Sequence, residues 1–239
     1  MRPRRLHVFG FWQPRSFERF QVLDHVSLQV RRGETLGIMG RNGCGKTTLL
    51  KIICGIYRAD DGVVRSHAAM TPILELGVGW NPELNAIDNI YLIGSVMGLS
   101  LSDIRRNLHE ILSFAELERF AELELKHYSS GMSARLAYAV AFHAVREVLI
   151  IDEIFAVGDA GFRERCQRRY RELRSGGHTV ILVSHDPHIV STFCDRAVLL
   201  DAGKVITEGR PADVSSHYAR LVGQQPSDDE ASTQAVSSA

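Results

Sequence analysis

The segment Gly40-Arg-Asn-Gly-Cys-Gly45-Lys46-Thr47 constrains this chain more than any other stretch. It fits the pattern G-x-x-x-x-G-K-[ST]. The apolar run Thr35–Met39 lies directly before it, and Leu49, Leu50, Ile52, Ile53 and Ile56 follow at helical spacing. A glycine-rich turn from strand to helix lets backbone N–H groups wrap closely around phosphate oxygens. The helix start adds the positive end of its dipole. The candidate cradle is Gly40, Arg41, Asn42, Gly43, Cys44, Gly45, Lys46, Thr47 and Thr48. Lys46 is placed to reach the β- and γ-phosphates, and the Thr47 hydroxyl to ligate Mg²⁺. The competing reading is a glycine-rich surface turn with an incidental lysine, which the flanking strand and helix disfavour.

The rest of the chain supplies the scaffold such a loop needs. Thr35–Met39, Val148–Ile151 and Val180–Val183 are continuously apolar, as strands covered on both faces are. A helix over Thr48–Ile56 follows the first run. Another over Phe162–Arg174 follows the second, with Phe162, Cys166, Tyr170 and Leu173 on one face. Strand–helix–strand order implies an α/β fold with a parallel sheet. From Asn85 to Val145 the spacing is mostly helical, over Ile87–Met97, Ser102–Phe114 and Ala134–Val145, with Ser102 as an expected cap. This region reads as a helical lobe inserted into the sheet. Leu199–Ile206 reads as a hairpin turning at Asp201-Ala-Gly203, and the polar residues after Gly223 as a disordered tail.

Two further strand ends carry chemistry. Ligands of open parallel sheets bind at the carboxyl ends of strands. Val148-Leu-Ile-Ile ends in Asp152-Glu153, and Val180-Ile-Leu-Val ends in Ser184-His185. Asp152 is the candidate to hold Mg²⁺ through its water shell, Glu153 to polarise an attacking water, and His185 to touch the γ-phosphate. Singly, each residue also reads as a solvated acid or a structural histidine; together they favour hydrolysis of ATP. ATP brings about four negative charges, of which Mg²⁺ offsets about two, Lys46 about one and a helix N-terminus about half of one. Something else positive should face the γ-phosphate.

Composition narrows the class further. The 28 basic and 28 acidic side chains of the 239 residues cancel, so bulk charge does not point to nucleic acid. The arginines of Phe162–Arg174 read as a solvated helix face. The four cysteines, Cys44, Cys54, Cys166 and Cys194, are widely spaced with no CxxC pair, which argues against zinc or a disulfide scaffold. No apolar run reaches the roughly 18 residues of a membrane span, and no signal-peptide stretch follows the basic start.

With these pieces placed, the chain from Phe20 to Leu221 resembles the nucleotide-binding subunit of ATP-binding cassette (ABC) transporters. The discriminating piece is Tyr128-Ser129-Ser130-Gly131-Met132, which stands where the family has LSGGQ, between the phosphate loop and the Asp152-Glu153 strand. Ser130 replaces the first glycine of that motif and Met132 its glutamine. The resemblance implies a RecA-like P-loop NTPase core at 1–84 and 146–222, a helical subdomain at 85–145, and a tail at 223–239. It implies two copies sandwiching ATP, with Ser129, Ser130 and Gly131 of one facing the nucleotide of the other. Asp159 then ends the family's D-loop, Ala156-Val-Gly-Asp159, at the same interface.

Three strings, Tyr128–Met132, Asp152-Glu-x-Phe-Ala-Val-Gly-Asp159 and Glu75-Leu-Gly-Val-Gly-Trp-Asn-Pro-Glu-Leu84, are similar to the subfamily exporting O-antigen, capsule or teichoic acid. The usual glutamine of the Q-loop is absent, and Glu75 is the candidate stand-in at the metal. Phe9 is the candidate to stack on adenine, with Trp12 or Phe20 as alternatives. The implied cofactors are ATP and Mg²⁺. The implied partners are a second copy and a separate integral membrane permease that contacts the glycan, at the cytoplasmic side of the inner membrane, with no nucleic acid. An importer, another exporter and an ABC ATPase acting on nucleic acid stay open as alternatives.

Overall fold

The computed structural model describes residues 20–73, 79–152 and 159–223. The strands are β1 (Thr35–Met39), β2 (Met70–Ile73), β3 (Val148–Asp152), β4 (Thr179–Val183), β5 (Arg196–Asp201) and β6 (Lys204–Gly209). The helices are α1 (Lys46–Ile53), α2 (Ala86–Val96), α3 (Leu101–Ala115), α4 (Ser130–His143), α5 (Ala160–Ser175), α6 (Pro187–Phe193) and α7 (Pro211–Gly223). The sheet order is β2-β3-β4-β1-β5-β6, parallel except for β6, which runs antiparallel to β5. It is the α/β fold that the strand–helix alternation implies.

Each central strand alternates its apolar side chains between two helix-covered faces. Met39, Leu149, Ile151, Val180 and Leu182 pack with Phe162, Cys166, Tyr170 and Leu173 of α5, the stripe the spacing anticipates. Ile38, Ile150, Ile181 and Val183 face Leu49 and Leu50 of α1 on the other side. Leu23, Val26, Leu28 and Val30 join that second face from the segment before β1. On the α5 face the Tyr170 hydroxyl is satisfied by Thr35 Oγ1 at 2.8 Å and by the Phe193 carbonyl at 2.6 Å.

A separate apolar core joins α2, α3 and α4. Helix α4 serves both cores: Leu136, Ala139 and Val140 face the helical lobe, while Tyr138, Ala141 and Phe142 face the sheet. That dual burial explains why residues 136–142 are apolar all round. Among the described residues no helix is long and apolar enough to cross a membrane.

Several boundaries differ from the sequence reading. Helix α1 ends at Ile53 rather than Ile56, because the Gly55 and Ile56 amides turn back onto the Ile52 and Lys51 carbonyls, a Schellman ending. Ser100, not Ser102, caps α3, accepting from the Asp103 amide. Helix α4 begins at Ser130 rather than Ala134, so Ser130 and Gly131 lie in its first turn. Strand β2 carries Pro72, which hides it from strand patterning; as an edge strand it tolerates the missing amide hydrogen. The segment 224–239 lies outside the described residues.

Candidate functional site

The loop between β1 and α1 sits at the carboxyl edge of the sheet. The Lys46 ammonium folds back inside it, donating to the Gly40 and Arg41 carbonyls, each at 2.8 Å. Lys46 is buried despite its charge, which those contacts and the loop enclosure permit. Gly40 is required by close approach: a Cβ there would lie 2.2 Å from the Leu200 carbonyl oxygen. Burial pushes the Cys44 thiol up, against the pull of Lys46, so this sulfur stays a neutral packing group.

The neighbouring strands bring their polar ends to the same edge. Asp152, the last residue of β3, is in register with Val183 of β4, which is itself in register with Ile38 of β1. The Thr47 hydroxyl donates to Asp152 Oδ2 at 3.1 Å. Ser184 leaves β4 tied to the Ile38 carbonyl at 3.2 Å, and His185 follows it, exposed. A cleft of about 440 Å³ opens here, lined by Val22, Asn42, Gly43, Lys46, Thr47 and Asp152 among others.

Phe9, Glu75 and Glu153 lie outside the described residues. Phe20 is described and exposed. Ser129, Ser130, Gly131 and Asp159 do not line the cleft. Ser129 caps α4 by accepting from the Met132 amide at 3.1 Å, and Asp159 caps α5 by accepting from the Phe162 amide at 2.9 Å. The Phe162 amide, aided by Arg135, holds the Asp159 carboxyl below its ordinary range.

Other contributors had no motif to mark them. Val22 lines the cleft, and the β5–β6 turn braces the loop: the Gly203 amide donates to the Cys44 carbonyl at 3.1 Å. Buried Asn89 ties down the turn before α2, donating to the Asn81, Leu84 and Asn85 carbonyls and accepting from the Asn81 amide. Its signal was only an Asn inside an apolar helix.

A polyanion in this cleft would meet an ammonium, a helix N-terminus and a hydroxyl–carboxylate pair of hard oxygen donors, which suits a polyphosphate with a divalent cation. This edge, on a parallel α/β sheet, defines the class of P-loop nucleotide-binding proteins.

Comparison with known proteins narrows the class. The family model described as ABC transporter matches residues 23–156. The chain is 44% identical over 203 residues to the ABC transporter protein AbcA of Aeromonas salmonicida, covering 85% of this chain and 66% of that protein. It is 37% identical over 213 residues to the O-antigen export system ATP-binding protein RfbB of Myxococcus xanthus, covering 89% of this chain and 49% of that protein. It is 38% identical over 203 residues to the teichoic acids export ATP-binding protein TagH of Lactiplantibacillus plantarum, covering 85% of this chain and 56% of that protein. The chain thus spans between about half and two thirds of these relatives.

Among solved structures, the ATP-binding subunit of an ABC transporter superposes with a TM-score of 0.75 at 26% identity, covering 92% of this chain and 95% of that one. A dimeric ATP-binding cassette in a post-hydrolysis state, bound to ADP and Pi, superposes with a TM-score of 0.69 at 26% identity, covering 80% of this chain and 90% of that one. The chain belongs to the ABC transporter family.

Proposed function

We propose that the chain is the ATP-hydrolysing subunit of an exporter of polysaccharide or lipid-linked glycan. It works as a pair of copies at the cytoplasmic face of the cell membrane, beside a separate membrane-spanning permease that contacts the glycan. The observation that carries the ATPase reading is the enclosed Lys46 ammonium next to the Thr47–Asp152 pair, at 3.1 Å, on one sheet edge. The export reading is supported by the printed roles of the O-antigen and teichoic acid relatives.

In this reading the backbone amides of Gly43–Thr48 and the Lys46 ammonium hold the β- and γ-phosphates. Thr47 and Asp152 hold Mg²⁺, which offsets phosphate charge. Glu75 is the further carboxylate that the sequence offers to the cation, and a Mg²⁺ bound here would keep several waters, since it dehydrates reluctantly. Glu153 orients the attacking water and His185 donates to the γ-phosphate; bond exchange to that water releases ADP and phosphate. Ser129, Gly131 and the start of α4 complete the site of the other copy, supplying the positive end that the charge count requires.

The test is phosphate release by the purified chain with ATP and Mg²⁺. Glu153→Gln is expected to lower turnover about 10²–10⁴-fold while nucleotide affinity is kept. A Glu153→Gln rate equal to the parent's overturns the assignment. For export, the chain should co-purify with an integral membrane protein, and its deletion should leave lipid-linked glycan on the cytoplasmic side; no change in glycan distribution overturns the export reading.

A further inference from the structure

Four charged side chains join three helices beside the start of α4. The Arg135 guanidinium, on α4, contacts Glu116 with one arm and Asp159 with the other. Glu116 is the C-cap of α3, held at φ 60°, and it also pairs with Arg165 of α5. Arg165 in turn donates to the Ser113 and Phe114 carbonyls at 3.0 and 2.9 Å, closing the end of α3. Arg135 lies over the Phe162 ring, 5.3 Å from its centroid, and its side chain is only 19% exposed.

The placement matters more than the number of charges. Arg135 stands about one and a half turns along the helix that Ser129 caps. Asp159 is the residue that opens α5. In the proposed ATPase the first of these segments completes the site of the second copy, and the family resemblance implies that Asp159 ends a loop at the same interface. A planar guanidinium can bridge two carboxylates at fixed angles, which a lysine cannot.

We propose that Arg135 is a positioning residue that clamps the start of α4 to the start of α5, so that Ser129–Gly131 and Asp159 meet a second copy as one preformed surface. The clamp rests on the two-copy reading above. Arg135 does not line the cleft of its own chain, so its loss acts on association of two copies, not on binding of nucleotide to a single chain.

The test uses the full chain in the Glu153→Gln background, with sedimentation velocity across an ATP–Mg²⁺ titration and a fluorescent ATP analogue for affinity. Arg135→Ala is expected to leave single-chain nucleotide affinity within about twofold of the parent and to weaken ATP-dependent dimerisation about tenfold or more. With Glu153 intact, the same variant should need a higher chain concentration than the parent to reach half of its maximal rate at saturating ATP. Arg135→Lys keeps the charge without the fork and should behave like the alanine variant. Glu116→Gln, which removes one arm outside the nucleotide site, gives a smaller weakening and serves if Arg135→Ala does not fold.

Parent-like dimerisation by Arg135→Ala or by Arg135→Lys overturns the clamp, as does an equal fall in single-chain nucleotide affinity. Failure of the Glu153→Gln parent itself to dimerise with ATP sinks the two-copy reading instead, which keeps the two failures distinct.

Discussion

Replacing Gly203 with alanine tests how the β5–β6 turn supports the phosphate loop. Gly203 has φ +76°, and a Cβ there would lie 2.3 Å from the Val22 carbonyl oxygen and 3.0 Å from its carbon. An L-residue in the left-handed region costs about 1–2 kcal/mol. Backbone atoms cannot swing aside as a side chain would, so overpacking adds about 1–3 kcal/mol. The expected loss is therefore about 2–5 kcal/mol, against a typical domain stability of about 5–15 kcal/mol. For a chain of this size that lowers Tm by about 4–20 °C.

Binding should suffer as well, because both pieces of backbone at the clash belong to the site. Val22 lines the cleft, and the Gly203 amide holds the Cys44 carbonyl. A shift approaching 1 Å there is expected to weaken nucleotide binding on the order of tenfold to hundredfold. Thermal unfolding and titration with a fluorescent ATP analogue read the two effects separately. The neighbouring Ala202, at φ 43°, provides a control: Ala202→Gly relieves an existing strain and should be neutral or stabilising. A Gly203→Ala protein with parental Tm and parental affinity would refute the reasoning.

Other outcomes follow from the same geometry. Lys46→Met removes a charged donor worth about 1.5–3 kcal/mol, so ATP affinity should fall about tenfold to hundredfold in equilibrium titration. Tyr170→Phe strips the hydrogen bonds to Thr35 and the Phe193 carbonyl, and denaturant unfolding should show a loss of about 1–3 kcal/mol. Burial alone raises the Glu34 carboxyl, but Arg196 and the Arg31 amide outweigh it and hold it below its ordinary value. Its stabilising contribution is then present above the unfolded carboxylate pKa, about 4.3, and is lost as pH falls through the lower folded value. Glu34→Gln should flatten that acid limb of stability without changing its shape above pH of about 6.

Much of the architecture was legible because it is written in local pattern. The continuous apolar runs of β1, β3 and β4, the stripe Phe162–Leu173 and the glycine loop each carry their own signal over a few residues. What escaped depends on contacts between distant parts. Strand β2 is masked by Pro72, acceptable only because β3 pairs with it from one side. The alternation of Val26, Leu28 and Val30 is too short to mark a packed segment without the core of Ile38, Leu49 and Ile181 that it covers. Val22, Gly203, Arg135 and Glu116 gain their roles from neighbours far along the chain, and no spacing rule reaches across those separations. At the sheet edge, the glycine loop after β1 and the positions of Asp152 at the end of β3 and His185 just beyond β4 were legible; His185 is not among the residues lining the cleft. The cap that Asp159 gives α5 was not legible, since that helix start was set too late, at Phe162 instead of Ala160.

The central claim is that one nucleotide is held at this sheet edge and its site is completed by a second copy. Sedimentation of the Glu153→Gln protein with saturating ATP–Mg²⁺, beside the same protein without nucleotide, tests it most directly. Conversion from single chain to dimer only when ATP is present is the predicted result. A protein that binds ATP and still sediments as one chain, or that pairs equally without nucleotide, contradicts it.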